Sequence, residues 1–153
     1  AGETWSRTGL SIKRTRCIVQ HPAKSEVLFV GTEDHGIYTT TDAGATWTKA
    51  ESGIDHATFY SIAFDPSNPD NVYAGGYVTG VYKSVNGGKN WKRVCKSLTV
   101  ESIHSVAVDP TESRRVFAAT IGDGVYRSDD GGDSWRQVGF KGAQVWTIQI
   151  QPY

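Results

Sequence analysis

The chain has 153 residues, 38% of them hydrophobic, and its 16 Lys plus Arg are matched by 16 Asp plus Glu. That size supports one domain around a modest core, and zero formal charge argues against nucleic acid or anionic membrane as partners, since both need a basic excess. No apolar run approaches a membrane span and no signal peptide is evident, while the absence of methionine leads us to expect a processed or excised piece.

The first residues, Ala1 to Trp5, read as the second half of a motif that then occurs whole three times. TTDAGATW runs from Thr40 to Trp47, SVNGGKNW from Ser84 to Trp91 and SDDGGDSW from Ser128 to Trp135, with successive tryptophans 44 residues apart. A fixed period of this length marks a repeat architecture. Each motif position has a structural reason. Asp42, Asn86 and Asp130 can accept from backbone amides two residues on and close a tight turn. Gly44, Gly88 and Gly132 supply a positive φ. Thr40, Ser84 and Ser128 tie the preceding strand to the turn, and Trp47, Trp91 and Trp135 bury a large ring that keeps a donor to satisfy. Asn86 points to structure rather than catalysis, because an amide replaces a turn acceptor but not an acid or base.

Upstream of each motif a second run repeats: from His21, Asp65 and Asp109, with Pro22, Pro66 and Pro110 again 44 apart. In the middle unit, alternation and turn residues predict strands at Tyr60 to Phe64, Val72 to Gly75, Gly80 to Ser84 and Trp91 to Cys95, with a Pro/Asn/Asp turn over Asp65 to Asn71. No stretch has sustained helical periodicity. The expected fold is all-β: a β-propeller of four-stranded antiparallel blades, about three and a half of them in this chain. Blades are expected over 16–59, 60–103 and 104–145. Residues 1–15 would give the last strand of a preceding blade and its loop, and 146–153 the first strand of a following one.

A twisted sheet of this size hides its faces only against neighbours, so the tryptophans and the Tyr38, Tyr82 and Tyr126 series are expected between blades. An isolated chain is then not expected to be a stable monomer: further copies or a parent chain would complete the ring. Cys17 should begin a first strand and Cys95 end a fourth. Three inter-strand steps, roughly 14 Å, exceed the ~7 Å a disulfide allows, so two free thiols are expected. No metal site is expected, for want of paired-ligand spacing.

The three eight-residue motifs resemble Asp-boxes (bacterial neuraminidase repeats, BNR). The longer run DPSNPDNVYAGGYVTGVYKSVNGGKNW resembles repeats of sialidases, xyloglucanases, sortilin-type receptors and photosystem II assembly factors. The resemblance covers essentially the whole chain. It implies a propeller with the Asp-boxes turned away from the ligand face, no cofactor, and a secreted, periplasmic or extracellular setting.

On the ligand face, positions that differ between repeats are free for function. Arg16, Tyr60, His104 and Trp146 are equivalent residues entering first strands, and are candidates for ligand binding. Tyr77 in the second-to-third strand loop, His35, and Asp55 with His56 in the loop from Glu51 to Thr58 join them. Glu33, Asp34 and His35 form the one compact titratable cluster of that face. Glycoside hydrolysis uses two carboxylates about 5–9.5 Å apart, which makes Glu33, Asp34 and Asp123 weak catalytic candidates. In xyloglucanase-like enzymes a catalytic Asp resembles the Glu33/Asp34 placement before a Gly-x-Tyr strand. A sialidase needs three converging arginines and a tyrosine nucleophile. Of the arginines, Arg16 with Arg14 is placed on this face, whereas Arg93, Arg127 and Arg136 are expected as solvated charges.

Two functions follow. One is a non-catalytic binding or scaffold propeller whose aromatic and polar rim takes a glycan, peptide or partner protein. The alternative is part of a secreted glycoside hydrolase with Glu33 or Asp34 as an acid.

Overall fold

The alternating segments become twelve strands in the computed structural model, which describes residues 4, 6–50, 52–54 and 57–151. The first unit has β1 (Thr15–His21), β2 (Lys24–Thr32), β3 (Ile37–Thr40) and β4 (Thr48–Lys49). The second has β5 (Phe59–Phe64), β6 (Val72–Gly76), β7 (Gly80–Ser84) and β8 (Lys92–Arg93), and the third β9 (Ile103–Asp109), β10 (Glu112–Thr120), β11 (Val125–Ser128) and β12 (Arg136–Gly139). Each set of four pairs in chain order as an antiparallel meander. The fold is therefore that of all-β propeller blades. The fourth strand of the middle unit is shorter than the expected Trp91 to Cys95. Trp91 turns into the core and is 6% exposed, which leaves only Lys92 and Arg93 on the ladder. Charged residues on these outermost strands blunt an edge that would otherwise recruit other strands. Residues 6–14 and 146–151 carry no strand pairing.

The Pro-rich turn in the middle unit is held by Asp65, whose Oδ1 accepts from the Ser67 and Asn68 amides and whose Oδ2 accepts from Asn71 Nδ2. The Asp-boxes close in the same way three times. Thr40, Ser84 and Ser128 hydroxyls donate to Asp42, Asn86 and Asp130 at 2.6, 3.0 and 2.7 Å. They accept from the amides of Gly44, Gly88 and Gly132 at 3.0, 2.9 and 2.8 Å. The three glycines sit at φ 93, 81 and 98°, where a side chain is strained. Each indole N–H donates to the glycine carbonyl three residues back.

The core lies between sheets rather than inside one. Phe29, Ile37, Ala50 and Ile54 of the first unit meet Ile62, Ala74 and Trp91 of the second. Tyr73, Val81 and Val94 of the second meet Val106, Ala118 and Trp135 of the third. At the first joint the Phe29 ring lies on Gly88, where a Cβ would come within 2.3 Å of it. At the second joint Tyr73 takes the equivalent place, and its hydroxyl donates to Gly131 O at 3.1 Å. The motif glycine thus has two duties, a left-handed turn and a seat for the neighbour's aromatic ring.

First strands also face one another, β1 against β5 and β5 against β9. A side chain from each reaches the backbone of the next. Ser61 Oγ accepts from Val106 N at 3.1 Å and Ser105 Oγ from Ile148 N at 3.2 Å, while Cys17 bonds the Ile62 backbone. Ile148 therefore stands to Ser105 as Val106 does to Ser61. Both cysteines are free thiols, and burial pushes the Cys17 pKa up to about 11.

Candidate functional site

Every sheet carries an irregularity at the entry to its first strand. Thr15 pairs with Thr32 and Cys17 with Gly31, leaving Arg16 as an extra residue opposite none. Phe59 pairs with Gly76 and Ser61 with Gly75, so Tyr60 is the extra residue; Ile103 pairs with Thr120 and Ser105 with Ala119, which leaves His104. A bulged residue leaves the ladder and its side chain is re-aimed, a device common beside binding sites. Here the re-aiming produces a row. The Arg16 guanidinium lies 5.6 Å from the Tyr60 ring centre, Tyr60 and His104 stack at 4.3 Å and 33°, and Trp146 stands edge-on to His104 at 4.8 Å and 90°. The four residues equivalent in the repeat are one continuous contact series. The Trp146 ring is 62% exposed at its far end.

Electrostatics sharpen this row. Burial, helped by the nearby Arg16 charge, lowers the His104 pKa, so the imidazole is neutral near pH 7 and can stack as an aromatic ring. Glu33 bonds Arg14 Nη1 at 2.6 Å and also Arg16, which together hold its carboxyl below the usual range, Arg14 first. An open groove of about 400 Å3 runs along Lys13, Arg14, Arg16 and Glu33 into the row. Arg14, which the sequence placed beside Arg16 on this face, is thus part of this end of the molecule through its bond to Glu33.

The remaining candidates divide. Asp34 is exposed, at φ 61°, and its Oδ1 accepts from Thr58 Oγ1 at 3.1 Å. His35 Nδ1 lies 2.6 Å from Glu33 O on the same loop. Tyr77 is 58% exposed beside Val78, which takes φ 53°. Asp123 lies between Tyr126, Thr99 and Gln137, at 2.6, 3.2 and 2.8 Å, and the Tyr126 hydroxyl foremost lowers its pKa. Asp55 and His56 fall outside the described residues. A general acid needs a carboxyl whose pKa is raised, whereas Glu33 and Asp123 are both held as carboxylates by their donors. Arg93, Arg127 and Arg136 prove to be paired, the first with Glu101 and the others with Asp129. The Asp-box residues sit at the opposite end of the sheets from the row, in the turns between third and fourth strands.

These features define a class: BNR-repeat β-propellers, with Asp-box turns at one end of the blades and variable residues at the other. Within it, the family model described as photosynthesis system II assembly factor YCF48 matches residues 1–146, and the chain belongs to that family. No curated protein matches it. Among solved structures, an ancestral GH74 enzyme is 27% identical with a TM-score of 0.79, over 91% of this chain and 20% of that one. YCF48 from Cyanidioschyzon merolae is 20% identical with a TM-score of 0.68, over 86% of this chain and 39% of that one. YCF48 bound to D1 peptide is 17% identical with a TM-score of 0.65, over 83% and 42%. The chain therefore spans less than half the length of these structures, and the last two comparisons concern fold alone.

Proposed function

We propose that this chain is a non-catalytic propeller module that binds a peptide or protein segment along the row Arg16, Tyr60, His104 and Trp146, with Arg14, His35 and Tyr77 at its margins. In this reading residues 16–59, 60–103 and 104–145 are blades, 1–15 and 146–153 belong to flanking blades, and further copies or a longer chain complete the ring. The setting is outside the cytoplasm. The observation that carries the proposal is the bulge recurring at one register position of three sheets while the residue placed on it changes from cation to phenol to imidazole. A repeat selected for packing alone would keep that residue constant, as the tryptophans are kept. Stacked aromatic faces beside a guanidinium bind a flexible chain through planar contacts that cost little side-chain entropy. Membership of a family that includes a structure bound to a peptide supports this choice of ligand.

The test is binding of a fluorescent peptide library to the chain, with Tyr60→Ala and Trp146→Ala. Each variant should melt cooperatively within about 4 °C of the wild type and lose at least tenfold in affinity for the best wild-type hits. Unchanged affinity in both would remove the row from consideration.

The likeness to a GH74 enzyme favours a second reading, a portion of a polysaccharide hydrolase whose rim holds a glycan. A glycan array and a xyloglucan digest separate the two. Hydrolysis that disappears in Glu33→Gln or Asp34→Asn would establish the second reading.

A further inference from the structure

Glu33 and Asp34 are neighbours in the loop between β2 and β3, yet their carboxylates serve different sheets. Glu33 stays with its own sheet, accepting from Arg14 Nη1 at 2.6 Å and from Arg16. Asp34 reaches across the first joint. Its amide donates to Thr58 Oγ1 at 3.0 Å, and the Thr58 hydroxyl donates back to Asp34 Oδ1 at 3.1 Å. Thr58 is 7% exposed and stands two residues before Tyr60. The dipeptide is therefore bonded on one side to the row's cation and on the other to the segment that delivers the row's phenol.

The equivalent loops separate what is common backbone from what is added here. The amides of Glu33, Tyr77 and Ile121 donate to the carbonyls of Arg14, Thr58 and Ser102 at 3.0, 3.0 and 3.2 Å, in each case two residues before the bulge. The Gly36 and Gly80 amides join each loop to the entry of the next sheet, at Ala57 O and Glu101 O. A left-handed residue recurs as well: Asp34 at φ 61°, Val78 at 53° and Gly122 at 111°. The carboxylates do not recur. Val78 and Gly122 have no side-chain acceptor, and Tyr77 and Ile121 carry no carboxylate. Constant backbone with a side-chain pair present in one loop of three is the same pattern that marks the row itself.

We infer that Glu33 and Asp34 are positioning residues, which together fix the Arg16 guanidinium against the Tyr60 ring and so set how the row presents its first two members to a ligand. The inference rests on the row being the binding site and gives that site its rigid end. A cation is attracted to a ring face only within about 6 Å of its centre, and the 5.6 Å here leaves little slack. Arginine has many rotamers, so ordering it during binding would weaken the complex; Glu33 orders it beforehand. The buried Thr58 hydroxyl spends both its donor and its acceptor capacity on Asp34, which ties the two sheets at the point where Tyr60 enters. These contacts also give Asp34 a use that needs no proton transfer.

The Arg16 Nε–Hε NMR resonance of the free chain and the affinity for hits of the fluorescent peptide library test the inference side by side. Tyr60→Ala marks where the resonance lies without the neighbouring ring. Thr58→Val removes the hydroxyl with little change of shape, and Asp34→Gly suits the left-handed backbone while removing the carboxylate, as in the third sheet. Each of these, and Glu33→Ala, should move the resonance toward the Tyr60→Ala position. Each should also weaken peptide binding about fivefold, the worth of a hydrogen bond. Thr58→Ser, which restores the hydroxyl, should restore both readings. In a Tyr60→Ala background Thr58→Val should cost no further affinity, because Thr58 acts through Tyr60. Circular dichroism confirms the sheets of each variant; if Thr58→Val loses them, Asp34→Gly carries the same test. A resonance that Thr58→Val or Asp34→Gly leaves in place would overturn the inference, as would equal affinity losses in the two backgrounds. A library without hits, with the resonance moving as expected, would refute the row as a peptide site and leave the positioning of Arg16 against Tyr60 standing.

Discussion

The Asp-box end of the sheets and the bulged end repeat with the same period, yet they repeat different things. At the Asp-boxes both backbone and side chains recur, and in each the hydroxyl, the Asp or Asn side chain and the indole N–H bond within the turn. At the bulges only the backbone recurs: Arg16, Tyr60 and His104 share a register and nothing else. At the first and third positions of the box, where the turn bonds to itself, substitutions are limited to Thr for Ser and Asn for Asp. Where the backbone presents a side chain outward, chemistry is free to vary. The contrast is the ground on which the row is proposed as the binding site.

The comparison breaks first at the tryptophans. Trp91→Ala removes a ring buried between the first and second sheets, and thermal or urea unfolding should show a loss of about 3–5 kcal/mol. Tyr60→Ala, at the other end, should cost under about 1 kcal/mol, since Tyr60 is only half-buried. Near-equal losses would mean that the bulged row is as structural as the turns.

A second test uses acid. Asp42 and Asp130 are held at a pKa of about 2, the former chiefly by the Thr40 hydroxyl and the latter chiefly by Ser134, whereas Asn86 does not titrate. A carboxyl depressed in the folded state stabilises above its unfolded pKa, near 3.9, and that contribution fades as pH falls toward 2. Stability of the wild type should therefore fall in that window. Asp42→Asn with Asp130→Asn should flatten that part of the profile, measured by urea midpoints between pH 5 and about 2. A profile unchanged by both substitutions would show that other carboxylates carry the acid sensitivity.

The smallest expected effect is a gain. Ala43 takes φ 55° where the other two boxes have Gly87 and Gly131 at 65 and 76°. Relieving a left-handed alanine outweighs the added freedom of the unfolded chain, so Ala43→Gly should stabilise by about 0.5–1 kcal/mol. The same substitution at exposed Ala23, which lacks a positive φ, should not stabilise.

The repeat, the strand order and the positions of the turns were legible in the amino-acid order, because each recurs at constant spacing, although Asp42, Asn86 and Asp130 accept from amides four residues on rather than two. So was the equivalence of Arg16, Tyr60, His104 and Trp146, which align by period alone. That they touch was not legible. It depends on a bulge at each first strand, and nothing in Thr15-Arg16-Cys17 or Phe59-Tyr60-Ser61 marks an unpaired residue. The engagement of Glu33 by Arg14 was equally hidden, since it joins a loop to an unpatterned segment. The ladder of Cys17, Ser61 and Ser105 was hidden for the same reason, since its partner backbone groups belong to the next sheet or to the segment after it.

Local hydrogen bonding and periodic apolar residues thus determined that this chain folds as blades. Tertiary packing decided which equivalent residues meet and which carboxylates are bound, because those contacts join sheets separated by a whole repeat. Such contacts are set by the angle at which neighbouring sheets lean together, and no single unit of the sequence encodes that angle.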